Sequence, residues 1–217
     1  MNRIPLPNPR LIAVGFGALA MLGATAIGLA ETGRQVAIPV EAGLVTFDVA
    51  TNISAVSVHG KSGSVRGLVR ARVGDGQLFL EEVLAALPVD ALTTGMSLRD
   101  EHMKKYIFTT SDHQTPELRF KGQKLACPMN SNSGAVCQAT GNMTIRGVEK
   151  PLTLSLKVKV AGSAYRAVGD GSIKLSDYGI ERPSQFGVRC ADDVRIHIEI
   201  SGRESVESAA PRTGGAN

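Results

Sequence analysis

The sequence contains no tryptophan, and aromatic residues make up only 4% of it. With 24 glycines spread through the chain, this suits many short strands and turns better than a helical bundle. Runs of like charge are also missing. With Arg3 and Arg10 of the N-terminal segment set aside, 22 basic residues face 20 acidic ones, a net charge of +2. The remaining charges alternate singly, which excludes the electrostatic footprint of a nucleic-acid binder. The chain has no Gly-x-Ser-x-Gly elbow, no phosphate-cradling loop ending in Lys-Ser/Thr and no Cys-x-x-Cys. His59, His102, His113 and His197 fall into no metal-ligand spacing. No catalytic residue, metal site or cofactor is therefore assigned, and the chain is not expected to be an enzyme.

The N-terminus carries a different signal. Arg3 and Arg10 precede Leu11 to Ala30, a stretch without charge. A positive start followed by an apolar stretch is what export machinery recognises. Residues 1–30 are read as an export helix, either a signal peptide cut near Ala26 or Ala30 or a retained signal anchor. The expected location is the periplasm, or the periplasmic side of the inner membrane if the segment stays attached. Thiols tend to pair in such an oxidising compartment. Cys127 and Cys137 flank the turn-rich Pro128-Met129-Asn130-Ser131-Asn132-Ser133-Gly134, so a disulfide is the natural reading; two small buried apolar residues are the alternative. Cys190 is left over; a lone thiol can be catalytic, but no His-plus-carboxylate arrangement surrounds it in the sequence, so it is read as a buried or incidental residue.

Residues 31–41 read as a linker, 42–203 as one folded domain and 204–217 as a disordered tail of small polar residues. Within the domain, Leu152, Leu154, Leu156, Val158 and Val160 alternate with Thr153, Ser155, Lys157 and Lys159. That is a strand with one dry and one wet face. Val194 to Ile200 repeats the pattern. Val45–Val49, Ile53–Val58, Val65–Val73, Leu78–Leu80, Leu118–Leu125, Cys137–Ile145 and Ile173–Leu175 do so less regularly. Gly74-Asp75-Gly76 and Gly169-Asp170-Gly171 read as hairpin turns. Many amphipathic antiparallel strands hide a common apolar face best by closing into a barrel, with a sandwich as the alternative. One helix interrupts them, with capping-box spacing at Ser97-Leu98-Arg99-Asp100 and a stripe of Leu98, Met103, Tyr106 and Ile107.

Four stretches carry a likeness to a known family. They are Leu98-Arg99-Asp100-Glu101-His102-Met103 running on to Phe108, Thr115-Pro116-Glu117-Leu118-Arg119-Phe120, Gly141-Asn142-Met143-Thr144-Ile145-Arg146-Gly147-Val148-Glu149-Lys150-Pro151-Leu152, and Leu175-Ser176-Asp177-Tyr178-Gly179-Ile180. In this order they resemble the YceI-like family of exported, lipocalin-like polyisoprenoid-binding proteins. Tyr106-Ile107-Phe108 stands where the family has Asp-Phe-Phe, and Val45-Thr46-Phe47-Asp48 replaces its usual first-strand opening. The resemblance implies an eight-stranded antiparallel lipocalin-like β-barrel holding a long isoprenoid, either a polyprenyl lipid or an isoprenoid quinone. An eight-stranded barrel is wide enough either to pack its own side chains or to admit one slim ligand.

Alternation and size then nominate Phe47, Phe79, Phe108, Phe120, Ile145, Leu154 and Leu156 as ligand-binding residues, with ordinary core packing as the alternative for each. Arg99, His102 and Arg146 either meet a polar head group at the rim or pin the helix to the barrel. The expected partner is a hydrophobic lipid, with membrane contact through the N-terminal segment if it is uncut; a homodimer stays open. The competing function is a structural or accessory envelope protein whose barrel is filled by its own side chains and which acts through its surface.

Overall fold

The computed structural model of the protein describes residues 33–110, 112, 117–130, 132 and 134–205. The expected export helix, His113, the Thr115-Pro116 pair and all of the tail beyond Ser205 lie outside them. The strands are β1 Arg34–Pro39, β2 Ala42–Thr51, β3 Ser57–Ser62, β4 Arg66–Gly74, β5 Gln77–Leu87, β6 Leu118–Gly122, β7 Leu125–Pro128, β8 Gly134–Ile145, β9 Val148–Ala161, β10 Ala164–Lys174, β11 Ser184–Gln185 and β12 Val188–Arg203. One short helix, α1 (Ser97–His102), runs into a wide π-type turn over Met103–Phe108.

All pairings are antiparallel, in the order β1-β4-β5-β6-β8-β9-β10-β12-β2-β3, with β7 beside β5 and β11 beside β12. The sheet curls into a half-barrel, the all-β architecture read from the sequence. Strand β9 shows why: Leu152, Leu154, Leu156 and Val158 are buried while Thr153, Ser155, Lys157 and Lys159 are exposed. Every such strand must turn the same face inward, so the sheet wraps around its own apolar side. Its two edges are each held by a single bridge, Ala37 to Ser205 at β1 and Lys61 to Thr93 at β3.

Several expectations need correction. The proposed linker over 31–41 contains β1, which pairs with β4 from Arg34–Val73 to Pro39–Leu68. Val36, Ala37 and Ile38 are buried in succession, so no alternation marked them. The described residues form twelve strands, ten of them on the main path, where eight were expected. The tail begins later than expected, because Glu204 accepts hydrogen bonds from Arg34 (2.7 Å) and the Tyr165 hydroxyl (2.6 Å). Ile53–Val56 form the β2–β3 turn, closed by Val56 N–H to Ile53 O at 2.8 Å, and the strand follows it.

Gly169-Asp170-Gly171 is strand interior, not a turn. A Cβ at Gly169 would lie 2.5 Å from Leu156 Cδ2, and one at Gly171 would lie 2.8 Å from Leu154 Cδ2. The glycines make room for leucines of the neighbouring strand. The helix is not capped by Ser97; Met96 occupies the cap position without a side-chain bond. Asp100 instead accepts bonds from Thr93 Oγ1 (2.7 Å), Thr94 N–H (2.7 Å) and Thr94 Oγ1, lashing α1 to the segment before it. Burial pushes the Asp100 carboxyl up, but the bonds from Thr94 and Thr93 outweigh this and hold it below its ordinary pKa.

Candidate ligand-binding cavity

The curled sheet encloses a cavity of about 1290 Å³ lined by side chains from β2, β5, β6, β8, β9, β10, β12 and the helical segment. This exceeds the ~300–1,000 Å³ typical of small-molecule sites. The lumen is long as well. Cys190 and Gly202 of β12 both line it, and twelve residues at ~3.3 Å each place them roughly 40 Å apart at most.

The two ends differ. At one end β1 and the end of β12 close the lumen with Ile38, Pro39 and Gly202, and the Arg34–Glu204–Tyr165 chain fastens them. Burial, and then the hydrogen bond to Glu204, pushes the Tyr165 hydroxyl up to about 12, so it stays a proton donor. The other end is bounded by α1, the β2–β3 turn, the β8–β9 turn and the β11–β12 hairpin; Met96, Leu98, Tyr106 and Phe186 there line the cavity and are exposed, so this rim is its mouth. Asn52 joins two of these, donating to Gly187 O at 3.1 Å and accepting from Arg189 N–H at 2.8 Å.

Of the residues nominated from sequence, Phe47, Phe108, Phe120, Ile145, Leu154, Leu156, Arg99, His102 and Arg146 all line the cavity. Phe79 does not. The run Leu78-Phe79-Leu80 is apolar on both faces, so size alone could not choose between them. Leu78 and Leu80 point inward, while Phe79 lies under Arg72, whose guanidinium carbon is 4.9 Å from the ring centroid. Arg99 lines the mouth and also pins the preceding turn, donating to Thr94 Oγ1 and Thr94 O, both at 2.8 Å. The His102 ring meets Tyr106 edge-on at 5.5 Å. Arg146 sits in the β8–β9 turn at φ +54°.

Met143, Tyr165, Arg119, Arg182 and Cys190 also line the cavity and were not nominated. Arg182 lies in an irregular stretch without periodicity, and Cys190 lies just before the irregular register between Cys190 and Val194. Burial raises the Cys190 thiol while nearby Arg99 lowers it, leaving it above its ordinary value and a weak nucleophile at neutral pH. Cys127 and Cys137 form the expected disulfide, Cα–Cα 5.4 Å, joining β7 to β8.

The lining is overwhelmingly aliphatic, and its charges gather at the mouth side. Arg99, Arg119, Arg146 and Arg182 stand against Glu181, the one carboxylate among the described lining residues. A Ser57–His59–Asp48 chain, with Ser57 Oγ 2.7 Å from His59 Nε2, spans β3 and β2. Ser57 and His59, two residues apart on β3, are both exposed, and His59 meets Asp48 as its cross-strand neighbour. Among the described residues, no three His, Cys, Asp or Glu side chains are placed to hold a metal.

The comparisons with known proteins agree with this architecture. The chain is 28% identical over 107 residues to a UPF0312 protein of Pseudomonas paraeruginosa, covering 46% of this chain and 53% of that one. A UPF0312 protein of Serratia proteamaculans is 27% identical over 128 residues, 56% of this chain and 62% of that one. The chain spans about half the length of these curated relatives. Among solved structures, a polyisoprenoid binding domain from Saccharophagus degradans superposes with a TM-score of 0.59 at 13% identity, covering 78% of this chain and 99% of that one. Campylobacter jejuni YceI superposes with a TM-score of 0.52 at 19% identity, covering 68% and 85%. At such identities the structures speak for the fold alone. The YceI-like domain model itself matches residues 37–202, nearly the whole described sheet, and the chain belongs to the YceI-like domain family.

Proposed function

We propose that this protein holds or carries a hydrophobic isoprenoid-type ligand, a polyprenyl lipid or an isoprenoid quinone, inside its curled sheet. The observation that carries the reading is the lumen: about 1290 Å³, long and lined by aliphatic residues. A slim apolar chain leaving water for such a wall gains ~0.8 kcal/mol per buried methylene. The scarcity of aromatics now has a structural consequence, because leucine, valine and isoleucine line the walls without filling the space between them. The reading of a barrel plugged by its own side chains is disfavoured for the same reason. The name of the Saccharophagus degradans neighbour, a polyisoprenoid binding domain, supports this ligand class.

The N-terminal segment supports a place of action outside the cytoplasm. A positively flanked, uncharged stretch over residues 11–30 and a disulfide between Cys127 and Cys137 both support export to the periplasm, either free or anchored in the inner membrane. The test is titration of the purified protein with isoprenoid quinones and polyprenols of increasing chain length. Saturable one-to-one uptake that strengthens with chain length is expected, as is its loss in a folded Leu154→Trp variant that fills the lumen. Uptake unchanged by Leu154→Trp would place the ligand elsewhere and overturn the reading.

A further inference from the structure

The mouth carries apolar residues that neither the fold nor the lumen explains. Phe186 is 96% exposed, Tyr106 65%, Leu98 59% and Met96 58%, and all four belong to the rim. Such residues occur singly on many surfaces, but Met96, Leu98 and Tyr106 of the helical segment and Phe186 of the β11–β12 hairpin line one cavity, and a shared exposed patch marks a contact site.

Turn chemistry sharpens the point. Three two-residue turns place both residues at positive φ: Asp75-Gly76, Arg146-Gly147 and Phe186-Gly187. This conformation favours Asn or Asp before Gly and is costly for a bulky side chain. The β4–β5 turn, at the closed end, has the expected Asp75. The two at the mouth have Arg146 and Phe186 instead. Local backbone preference therefore did not select these residues, and a backbone held against preference at an exposed tip points to contact with something outside the chain.

The charges say what that something is. Arg182 and Arg189 flank Phe186 in sequence and are exposed, the Lys105 ammonium lies 5.2 Å from the Tyr106 ring centroid, and Arg146 occupies the neighbouring turn tip. The exposed acids nearest to them in sequence are Glu101, Glu149, Glu181 and Asp193, but of these only Glu181 lines the cavity, against Arg99, Arg119, Arg146 and Arg182. Apolar and aromatic tips interleaved with an excess of arginine and lysine match the interface of a bilayer with anionic head groups. We propose that the mouth of the half-barrel docks on an anionic phospholipid surface, with Phe186, Tyr106, Leu98 and Met96 entering the interface and the arginines meeting phosphates. The docking is mediated by the domain itself and is separate from any anchoring by residues 1–30. It rests on the lipid-carrier reading for its purpose only, since an apolar chain could then pass between bilayer and lumen without crossing water.

Because the chain has no tryptophan, F186W supplies a single fluorophore at the tip. The full chain is used, with V136W as control; Val136 is exposed on β8 near the closed end. On adding phosphatidylglycerol-containing vesicles, F186W emission should shift to the blue and be quenched by brominated acyl chains, more weakly at high salt, while V136W emission stays unchanged. Measured as the gain in full-chain association on going from neutral phosphatidylcholine to phosphatidylglycerol-containing vesicles, F186N should weaken binding about tenfold or more without lowering thermal stability, a combination that a purely structural residue would not give. No response of F186W, an equal response of V136W, or a concentration-dependent blue shift of F186W without vesicles overturns the proposal, the last by assigning the mouth to a second copy. Uptake of isoprenoid in vesicle-free solution is scored separately. Its failure alone would sink the carrier reading and leave docking standing.

Discussion

Replacing Gly60 by alanine should shorten the chain this lumen accepts while leaving the fold intact. Gly60 on β3 pairs with Phe47 on β2, and the Phe47 ring covers it. A Cβ at residue 60 would fall 2.2 Å from Phe47 Cζ and 2.3 Å from Cε1. Carbon atoms pack at ~3.5–4.0 Å, so the ring must give way by about 1.5 Å. Phe47 already lines the cavity, and the lumen is the direction left to it. The stability effects nearly cancel: alanine is favoured over glycine in a strand by ~0.5–1 kcal/mol, against ~0.5–1.5 kcal/mol for a displaced rotamer. Binding does not cancel. A ring that displaces one five-carbon isoprene unit removes up to about 4 kcal/mol of burial, roughly a thousandfold in affinity at the limit. Chain-length titrations should show G60A losing long isoprenoids while keeping those too short to pass Phe47. Removing the ring as well, in F47A/G60A, should restore the long ones. Equal binding of all lengths by G60A, or no recovery in the double variant, would refute this account of the lumen wall.

Other outcomes follow from the same structure. The Cys127–Cys137 bridge closes a loop of 10 residues in sequence separation, and the entropy of such a loop is worth about 3 kcal/mol. A C127A/C137A variant should therefore melt roughly 6–12 °C lower by calorimetry. The hydrogen bond from Arg34 holds the Glu204 carboxyl below its ordinary pKa, against desolvation and with help from Tyr165. A carboxyl depressed in the folded state adds stability that is full above its unfolded pKa and is lost as pH falls through the folded one. Amide exchange in β1 should thus accelerate only in acid below the usual carboxylate range, and E204Q should remove that pH dependence. The half-buried Cys190 thiol in the lumen should alkylate slowly at neutral pH and more slowly still with isoprenoid bound; ligand-independent labelling would remove the chain from its neighbourhood.

The parts of the fold legible in sequence are those where one face is wet and the other dry. Strand β9 announced itself because Thr153, Ser155, Lys157 and Lys159 had to face water while their neighbours faced the lumen. Strand β1 was silent because Val36, Ala37 and Ile38 are all covered, so period two never appears. Phe79 was misplaced for a related reason: its neighbours are as apolar as it is, and its cover on the outer face is the stem and guanidinium of Arg72. Gly169 and Gly171 carry the letters of a turn but serve side-chain clearance, which only the positions of Leu156 and Leu154 reveal. The mouth was the least legible region. Arg182, Phe186 and Cys190 gain their meaning from being brought beside α1 and the β2–β3 turn, and no spacing along the chain encodes that meeting.

A long apolar chain held in the lumen should travel with the protein through purification. The most direct test is to purify the protein without detergent, extract it with organic solvent and identify any bound lipid by mass spectrometry. An isoprenoid lipid in near-stoichiometric amount is expected, sharply reduced in a folded Leu154→Trp variant. Repeated absence of any lipid, together with no uptake of added quinone or polyprenol, would contradict it.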